Sequence, residues 1–501
     1  MFDTKFQSSF LIGFVIYITL MVVIGTLASR KTRKGEDFLT GGRKLSLLLT
    51  FSTIGATMVG TNSSIGVISN SFRQGFTVMV FVLGSMAGML MMRMFTGTRD
   101  KEFLTMSEEA QYYFGGNRTI RYVMGFIMLI VEVAWLGNHI NGGAIYLSYV
   151  TGLDFLAAKM ITVIAFGAYV YIGGYLAVVW TDMIQFVILI VGFTVISINC
   201  IPLAGGMSAI NAAYAAKSAV QAAQPAAGPA GPSALVQVLA LTAATIMGIL
   251  GTPTHRTRIY TAKNSKTAKR AFTMNAVMLT AYGILPVLIG MSAYTIAAAN
   301  NATVILERPD FAFAYMATTI LGPIFGLFLL LAGLSATLSS ADSDAISGVT
   351  ILLTDIYPTV TKKALHEDHY VKYSRISLVF ILFFSFLMTL MANDIISYIT
   401  KVIGALIPGI AVTMLLGRLM KRATWQGGLA ALLSGTVCGF IYLFVKPFAG
   451  LIDLVMGGPA IPVTILSLSA GIAVSLFTPK NTVSDEDALA AVFTCRRAGK
   501  K

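Results

Sequence analysis

The sequence predicts an all-α polytopic membrane protein with about 13 transmembrane helices, and three observations carry that prediction. Hydrophobic residues fill 56% of 501 positions, charged residues only 12%, and mean hydropathy is +0.78. The apolar residues fall in continuous runs of about 20, the length of helix that crosses a bilayer core. Lys and Arg gather in alternate loops between those runs. Only helices and closed barrels satisfy backbone polar groups in lipid, and long runs rather than ten-residue alternating segments select helices.

The runs lie at 8–28, 45–72, 77–97, 119–150, 155–173, 176–200, 234–260, 270–299, 318–348, 371–392, 397–417, 425–446 and 460–478. The first lacks a basic leader and a small-residue cleavage site, so it is read as a retained span. The loop after it, 29–44, carries Arg30, Lys31, Arg33, Lys34, Arg43 and Lys44; the loops at 98–118, 261–270, 358–375 and 418–423 and the tail 479–501 are also basic. Positive loops stay cytoplasmic, which puts the N-terminus outside and the C-terminus inside the cell membrane. The formal charge of +14 is then topology, with no nucleic-acid partner and no obligatory protein partner implied. Cys200, Cys438 and Cys495 have no metal-ligand spacing, and 201–233, with "AAQPAAGPAGP", reads as a flexible external connection.

Two spans are interrupted. The second contains "GATMVGTNSSIG" (55–66) and the seventh "GILGTPTHRTR" (248–258), where Pro253 removes a backbone donor. Glycines in membranes also serve close packing. Unwound backbone at that depth, however, persists only where it is buried in protein or lines a cavity. Broken helices five spans apart suit two inverted five-helix repeats with a site between them, 45–200 and 234–417. The span 8–28 and the two in 425–478 are then peripheral, all within one transmembrane domain covering 1–501. The ninth span adds "LSATLSSADSDAISG" (334–348), whose Ser339, Asp342 and Ser343 share one helical face. Carboxylates at bilayer depth cost at least about 2.5 kcal/mol and mark a site or pathway.

Five ordered motifs resemble the sodium:solute symporters, a family carrying proline, pantothenate, choline, sugars and sialic acid: "DFLTGGRKLS" (37–46), "GGYLAVVWTDMIQ" (173–185), "RIYTAKNSKTAKRA" (258–271), "SSADS…TDIY" (339–357) and "GALIPGI" (404–410). The resemblance spans about residues 8–420 and is strongest to the choline, pantothenate and proline branches. It implies the inverted-repeat fold of amino-acid and sugar symporters, Na+ as the coupling ion, and import of a small organic solute such as an amino acid or carboxylate. On the family pattern sodium lies between the carbonyls of Ala56, Val59 and Ala336 and the hydroxyls of Ser339 and Ser340. Oxygen ligands of this kind suit a hard cation. Asp182, Ser339, Asp342 and Ser343 match a second cation site of some branches; Asp342 there binds sodium, carries a proton or only hydrogen-bonds.

The same pattern directs Met58, Ser63, Glu132, Trp135, Thr252, Thr400 and Lys401 toward the solute. A Trp face binds quaternary ammonium well, but Met58 and Thr252 stand where a fuller aromatic cage needs rings. Lys401 either holds a carboxylate or snorkels to the headgroups, and Arg258 reads as structural or gate-related. His139, His255, His366 and His369 are not spaced as a metal cluster. No Walker loop, H-E-x-x-H or G-x-S-x-G pattern suggests an enzyme. Other classes are a quaternary-amine or sugar importer and a membrane sensor or scaffold on the same fold.

Overall fold

The computed structural model describes residues 4–29, 37–223, 233–320, 322–363, 365–391 and 403–497. In chain order its main helices are α1 (Thr4–Ser29), α2 (Leu47–Met58), α3 (Val67–Gln74), α4 (Met79–Met92), α5 (Met106–Tyr113), α6 (Arg118–Thr151), α7 (Phe155–Leu203), α8 (Gly206–Ala223), α9 (Ala234–Gly251) and α10 (Pro253–Thr261). They continue with α11 (Ser265–Ala299), α12 (Ala312–Ile320), α13 (Gly322–Ile351), α14 (Tyr370–Met388), α15 (Gly404–Leu419), α16 (Trp425–Phe444), α17 (Lys446–Met456), α18 (Ala460–Phe477) and α19 (Asp485–Arg497). Among the described residues nine helices are long and apolar enough to cross a membrane, ten when the bent pair α9 and α10 counts as one span. Shorter apolar helices, Leu47–Met58, Phe155–Ala168 and Gly404–Leu419, lie where a span is interrupted or borders 392–402, which is outside the described residues.

Capping residues set several starts. The Leu49 N–H donates to Ser46 Oγ, the Glu108 N–H to Thr105 Oγ1, and the Thr267 N–H to Asn264 Oδ1. Each such cap contributes about 1 kcal/mol by satisfying a donor the helix cannot. Glycine makes the sharpest break: Gly174 interrupts α7 at φ 66°, and a Cβ there would lie 2.6 Å from the Phe38 ring. Large apolar side chains such as Ile164, Val277 and Phe444 face outward with two thirds or more of their surface uncovered, as lipid contact allows.

The core places α13 against both α6 and α7, while α1 packs along the outside of α7. In the second half α15 lies against α9 and α16, and α16 against α18. One short backbone pairing fixes the relation of the two halves. The Leu45 N–H donates to the Thr261 carbonyl at 3.2 Å and the Lys263 N–H to the Leu45 carbonyl at 3.0 Å. The start of α2 therefore meets the end of α10, so the two interrupted spans run in opposite directions past each other. That antiparallel relation is what inversion of an odd-numbered repeat requires.

Candidate functional site

α2 opens at Val59 (φ −87°, ψ 46°) and the chain resumes as a widened turn over Asn62–Gly66 before α3. The second break is at Thr252 (φ −80°, ψ 120°), where α9 and α10 meet at 45° with Pro253 first in α10. Proline is tolerated there because the first helical N–H has no intrahelical partner. The carbonyls at the C-terminal end of α2 likewise lack helical donors and carry partial negative charge.

α13 supplies the donors that meet them. Ser339 Oγ donates to the Ala56 carbonyl at 3.0 Å and lies 3.4 Å from the Ala336 carbonyl. Ser340 Oγ donates to the Thr57 carbonyl at 2.9 Å and lies 3.5 Å from that of Ala336. Ala56, Ala336, Ser339 and Ser340 thus lie together, Thr57 joins them, and Val59 marks the opening of the helix. The set is all oxygen and uncharged, which fits a sodium ion and gives no soft ligand to a transition metal. Gly60 permits the approach: a Cβ on it would stand 2.2 Å from Ser340 Oγ.

One turn along, the structure brings Asp182 and Ser343 together at 3.5 Å, with a third party the sequence reading kept apart from them. The guanidinium of Arg258, from α10, reaches Asp182 Oδ2 at 3.3 Å, Thr57 Oγ1 at 3.0 Å and the Tyr175 hydroxyl at 2.7 Å, and it also donates to Ser343 Oγ. Thr53 Oγ1 donates to Asp182 as well. Asp342 takes another direction, accepting from Thr181 Oγ1 at 3.4 Å. Arg258 and Asp182 are both buried, so the ion pair is shielded from water by α2, α7 and α13.

Between the two breaks lies a cavity of about 150 Å³. Met58, Ser63, Trp135 and Thr252 line it, and Ser340 forms part of the same wall. Trp135 Nε1 donates to Thr252 Oγ1 at 3.2 Å, tying α6 to the second break. Glu132 is fully buried behind the wall, accepting from Ser347 Oγ at 2.7 Å and from Thr254 Oγ1 at 3.0 Å. Thr400 and Lys401 lie outside the described residues. His139, His255 and Asp344 also line the cavity, which the sequence reading did not anticipate. The available signal was spacing: Glu132, Trp135 and His139 sit at i, i+3 and i+7 along one helix.

Deeper toward the basic loops, Arg121 pairs with Glu108 and Asp355, each at 3.0 Å, tying α6 to α5 and to the end of α13. Beside it Arg256 lies 3.6 Å from Glu109, whose carboxylate also accepts from Tyr113 and Tyr260, and its guanidinium covers the Phe95 ring. These contacts leave closely packed side chains beneath the cavity.

Oppositely directed broken helices around a central cavity, with an oxygen cluster at one break, define a secondary active membrane carrier of the inverted-repeat class. The model of the Sodium:solute symporter family matches residues 38–435, and the chain belongs to that family. It is 24% identical over 487 residues to the osmoregulated proline transporter OpuE of Bacillus subtilis, covering 94% of this chain and 95% of that one. It is 24% identical over 374 residues to the sodium/pantothenate symporter of Haemophilus influenzae, covering 72% and 74%. Among solved structures, a Na+-coupled sialic acid symporter in a substrate-bound outward-open state superposes with a TM-score of 0.77 at 16% identity, covering 96% of this chain and 99% of that one. Mhp1, a nucleobase-cation-symport-1 family transporter in a closed conformation, gives 0.57 at 12% identity over 90% and 97%. The chain is a multi-pass membrane symporter that couples a solute to Na+, and its role is transport rather than catalysis.

Proposed function

We propose that this symporter imports a small organic solute, an amino acid or a closely related metabolite, with sodium held by Ala56, Val59, Ala336, Ser339 and Ser340. The observation that carries the reading is that Ser340 belongs at once to the oxygen cluster and to the cavity wall. A cation drawn to that cluster stiffens the open end of α2, and the same backbone presents Met58 and Ser63 to the solute. Binding of either partner then favours the other, which is the coupling free energy that symport needs. The cavity's walls are mostly apolar, with polar groups at Ser63, Thr252 and Asp344, as a compact amphipathic solute requires. The proline transporters among the relatives support an amino acid as the first solute to test.

The alternating basic loops support an orientation with the N-terminus outside and the C-terminus in the cytoplasm. At the second cluster, Arg258 already neutralises Asp182. A further sodium shared by Asp182 and Ser343 therefore requires that guanidinium to withdraw, whereas a cation at Asp342 does not.

The test is uptake of labelled proline into proteoliposomes under an inward sodium gradient, with competition by other amino acids, carboxylates, sugars and quaternary amines. Sodium-driven uptake inhibited by one class names the solute. Sodium that neither drives uptake nor raises the protein's thermal stability, across the whole panel, overturns the sodium site assigned here and favours a sensor or scaffold role.

A further inference from the structure

On the face that carries the basic loops, four cations surround a cavity that sodium and solute do not use. The chain leaves α4 through a 3-10 segment, Arg93–Lys101, which packs along α11. Lys266, Lys269, Arg270, Thr273 and Met274 stand at i, i+3, i+4, i+7 and i+8, on one face of α11. Together with Arg93 they line a cavity of about 360 Å³.

The protein offers these cations little counter-charge. Among the described residues the side chains of Arg93, Lys266, Lys269 and Arg270 have no ion-pair partner, and Arg93 Nε is buried without an acceptor. Neighbouring arginines are spent within the protein: Arg43 donates to the carbonyls of Glu102 and Phe103, Arg99 to those of Arg43 and Ala262, and Arg418 to that of Met94. The stretches 91–101 and 262–277 contain one carboxylate, Asp100, which is exposed and accepts from Ser265 Oγ at 2.9 Å. Four gathered cations repel one another, and a buried N–H without an acceptor costs free energy until one arrives.

What adjoins the cavity says which anion fits. Beyond it along α11 come Met274, Val277 and Ile284, and back along α4 Leu90 and Leu83, all exposed and apolar, as side chains against acyl chains are. The cations therefore stand where a lipid-facing surface meets the headgroup layer. We propose that this cavity binds the phosphate of an anionic phospholipid from the leaflet on the side of the basic loops, with the acyl chains along Met274 and Val277. Guanidinium groups match phosphate oxygens in pairs, and the lysines add charge. A zwitterionic headgroup brings an ammonium that four cations disfavour, whereas a headgroup of net negative charge meets no such opposition. Basic pockets between membrane helices recognise lipid headgroups on this principle.

The phosphate bridges two parts of the fold. Arg93 follows the last residue of α4, in the first half, whereas α11 follows α10 in the second. At that junction Lys263 is already paired through its backbone with Leu45. A lipid seated here ties the end of α4 to the start of α11, so its binding is read first as stability.

Thermal denaturation of the purified protein in a neutral detergent tests this without sodium or solute, so the result stands apart from the transport reading. Phosphatidylglycerol should raise the melting temperature at concentrations where phosphatidylcholine, phosphatidylethanolamine and inorganic phosphate do not. Equal stabilisation by phosphatidylglycerol and phosphatidylcholine overturns the proposal, and equal stabilisation by inorganic phosphate overturns the lipid as the ligand. R93Q/R270Q should raise the phosphatidylglycerol concentration for half-maximal stabilisation at least about fivefold, the weight of one basic contact near a membrane surface. K363Q/K372Q, which removes two exposed cations from another basic loop, should leave it unaltered. The same shift in both variants reduces the effect to net charge and overturns the site. Where R93Q/R270Q does not fold, K266Q/K269Q makes the same comparison with two exposed side chains of the cavity.

Discussion

Ser340 donates to the Thr57 carbonyl at 2.9 Å from a helix 283 residues further along the chain. The bond closes the open end of α2 against α13, and Ser339 repeats it on the Ala56 carbonyl at 3.0 Å. Replacing both serines with alanine should lower apparent sodium affinity at least about tenfold, equivalent to about 1.4 kcal/mol, while folded protein is retained. Sodium titration of thermal stability and of uptake checks this. Unchanged sodium activation would remove both hydroxyls from the ion site.

Gly60 gives a second approach that alters no ligand. Its missing side chain makes room for Ser340, so Gly60→Ala should displace that hydroxyl and raise the sodium concentration for half-maximal activation by about 5- to 30-fold, a change of one to two kcal/mol. Gly97→Ala, at a position with nothing within 4 Å, should leave it unaltered. Equal behaviour of the two variants counts against the proximity argument.

Arg258 and Asp182 are a buried pair, and breaking such a pair from one side strands a charge. Arg258→Met should destabilise the protein by about 3–5 kcal/mol, because Asp182 then has hydroxyl partners but no cation. Adding Asp182→Asn should restore much of the loss. Thermal denaturation in a single detergent compares the three proteins; a double variant no more stable than Arg258→Met would show that the guanidinium acts through its other partners, Thr57, Tyr175 and Ser343.

At Asp342 the measurement is the shape of sodium activation. A second cation there makes the curve sigmoidal, and Asp342→Ala should turn it hyperbolic while Asp342→Ser keeps some of the curvature through its hydroxyl. A hyperbolic curve in the wild-type protein excludes a second coupled sodium at this residue.

Orientation is tested by labelling in a cysteine-free background. A cysteine replacing the exposed Lys44 should react with an impermeant maleimide only after permeabilisation, and one replacing the exposed Ser218 should react in intact cells. The reverse pattern would invert the topology drawn from the basic loops.

By itself the sequence did not find the helix Gly206–Ala223 in the stretch 201–233 it read as a flexible connection, and among the described residues nine or ten helices, not thirteen, are long and apolar enough to span. It determined most of the apolar helices, that two spans are interrupted, and which polar side chains stand in mid-membrane. Those features are local: bilayer thickness fixes the length of an apolar run, Gly55, Gly60 and Pro253 mark weak points in the helices that carry them, and Ser339 and Ser340 are conspicuous among apolar neighbours. Tertiary structure alone decided partnership. It turned Arg258 onto Asp182, set Glu132 behind the cavity wall, and joined Thr61, His139 and Asp344 in one line. Such pairs lie tens to hundreds of residues apart, and no helical periodicity relates one helix to another. A buried polar group is costly without a hydrogen-bond partner, but several candidates meet that need equally in sequence; packing of α6, α10 and α13 around the two breaks selects which of them comes within reach.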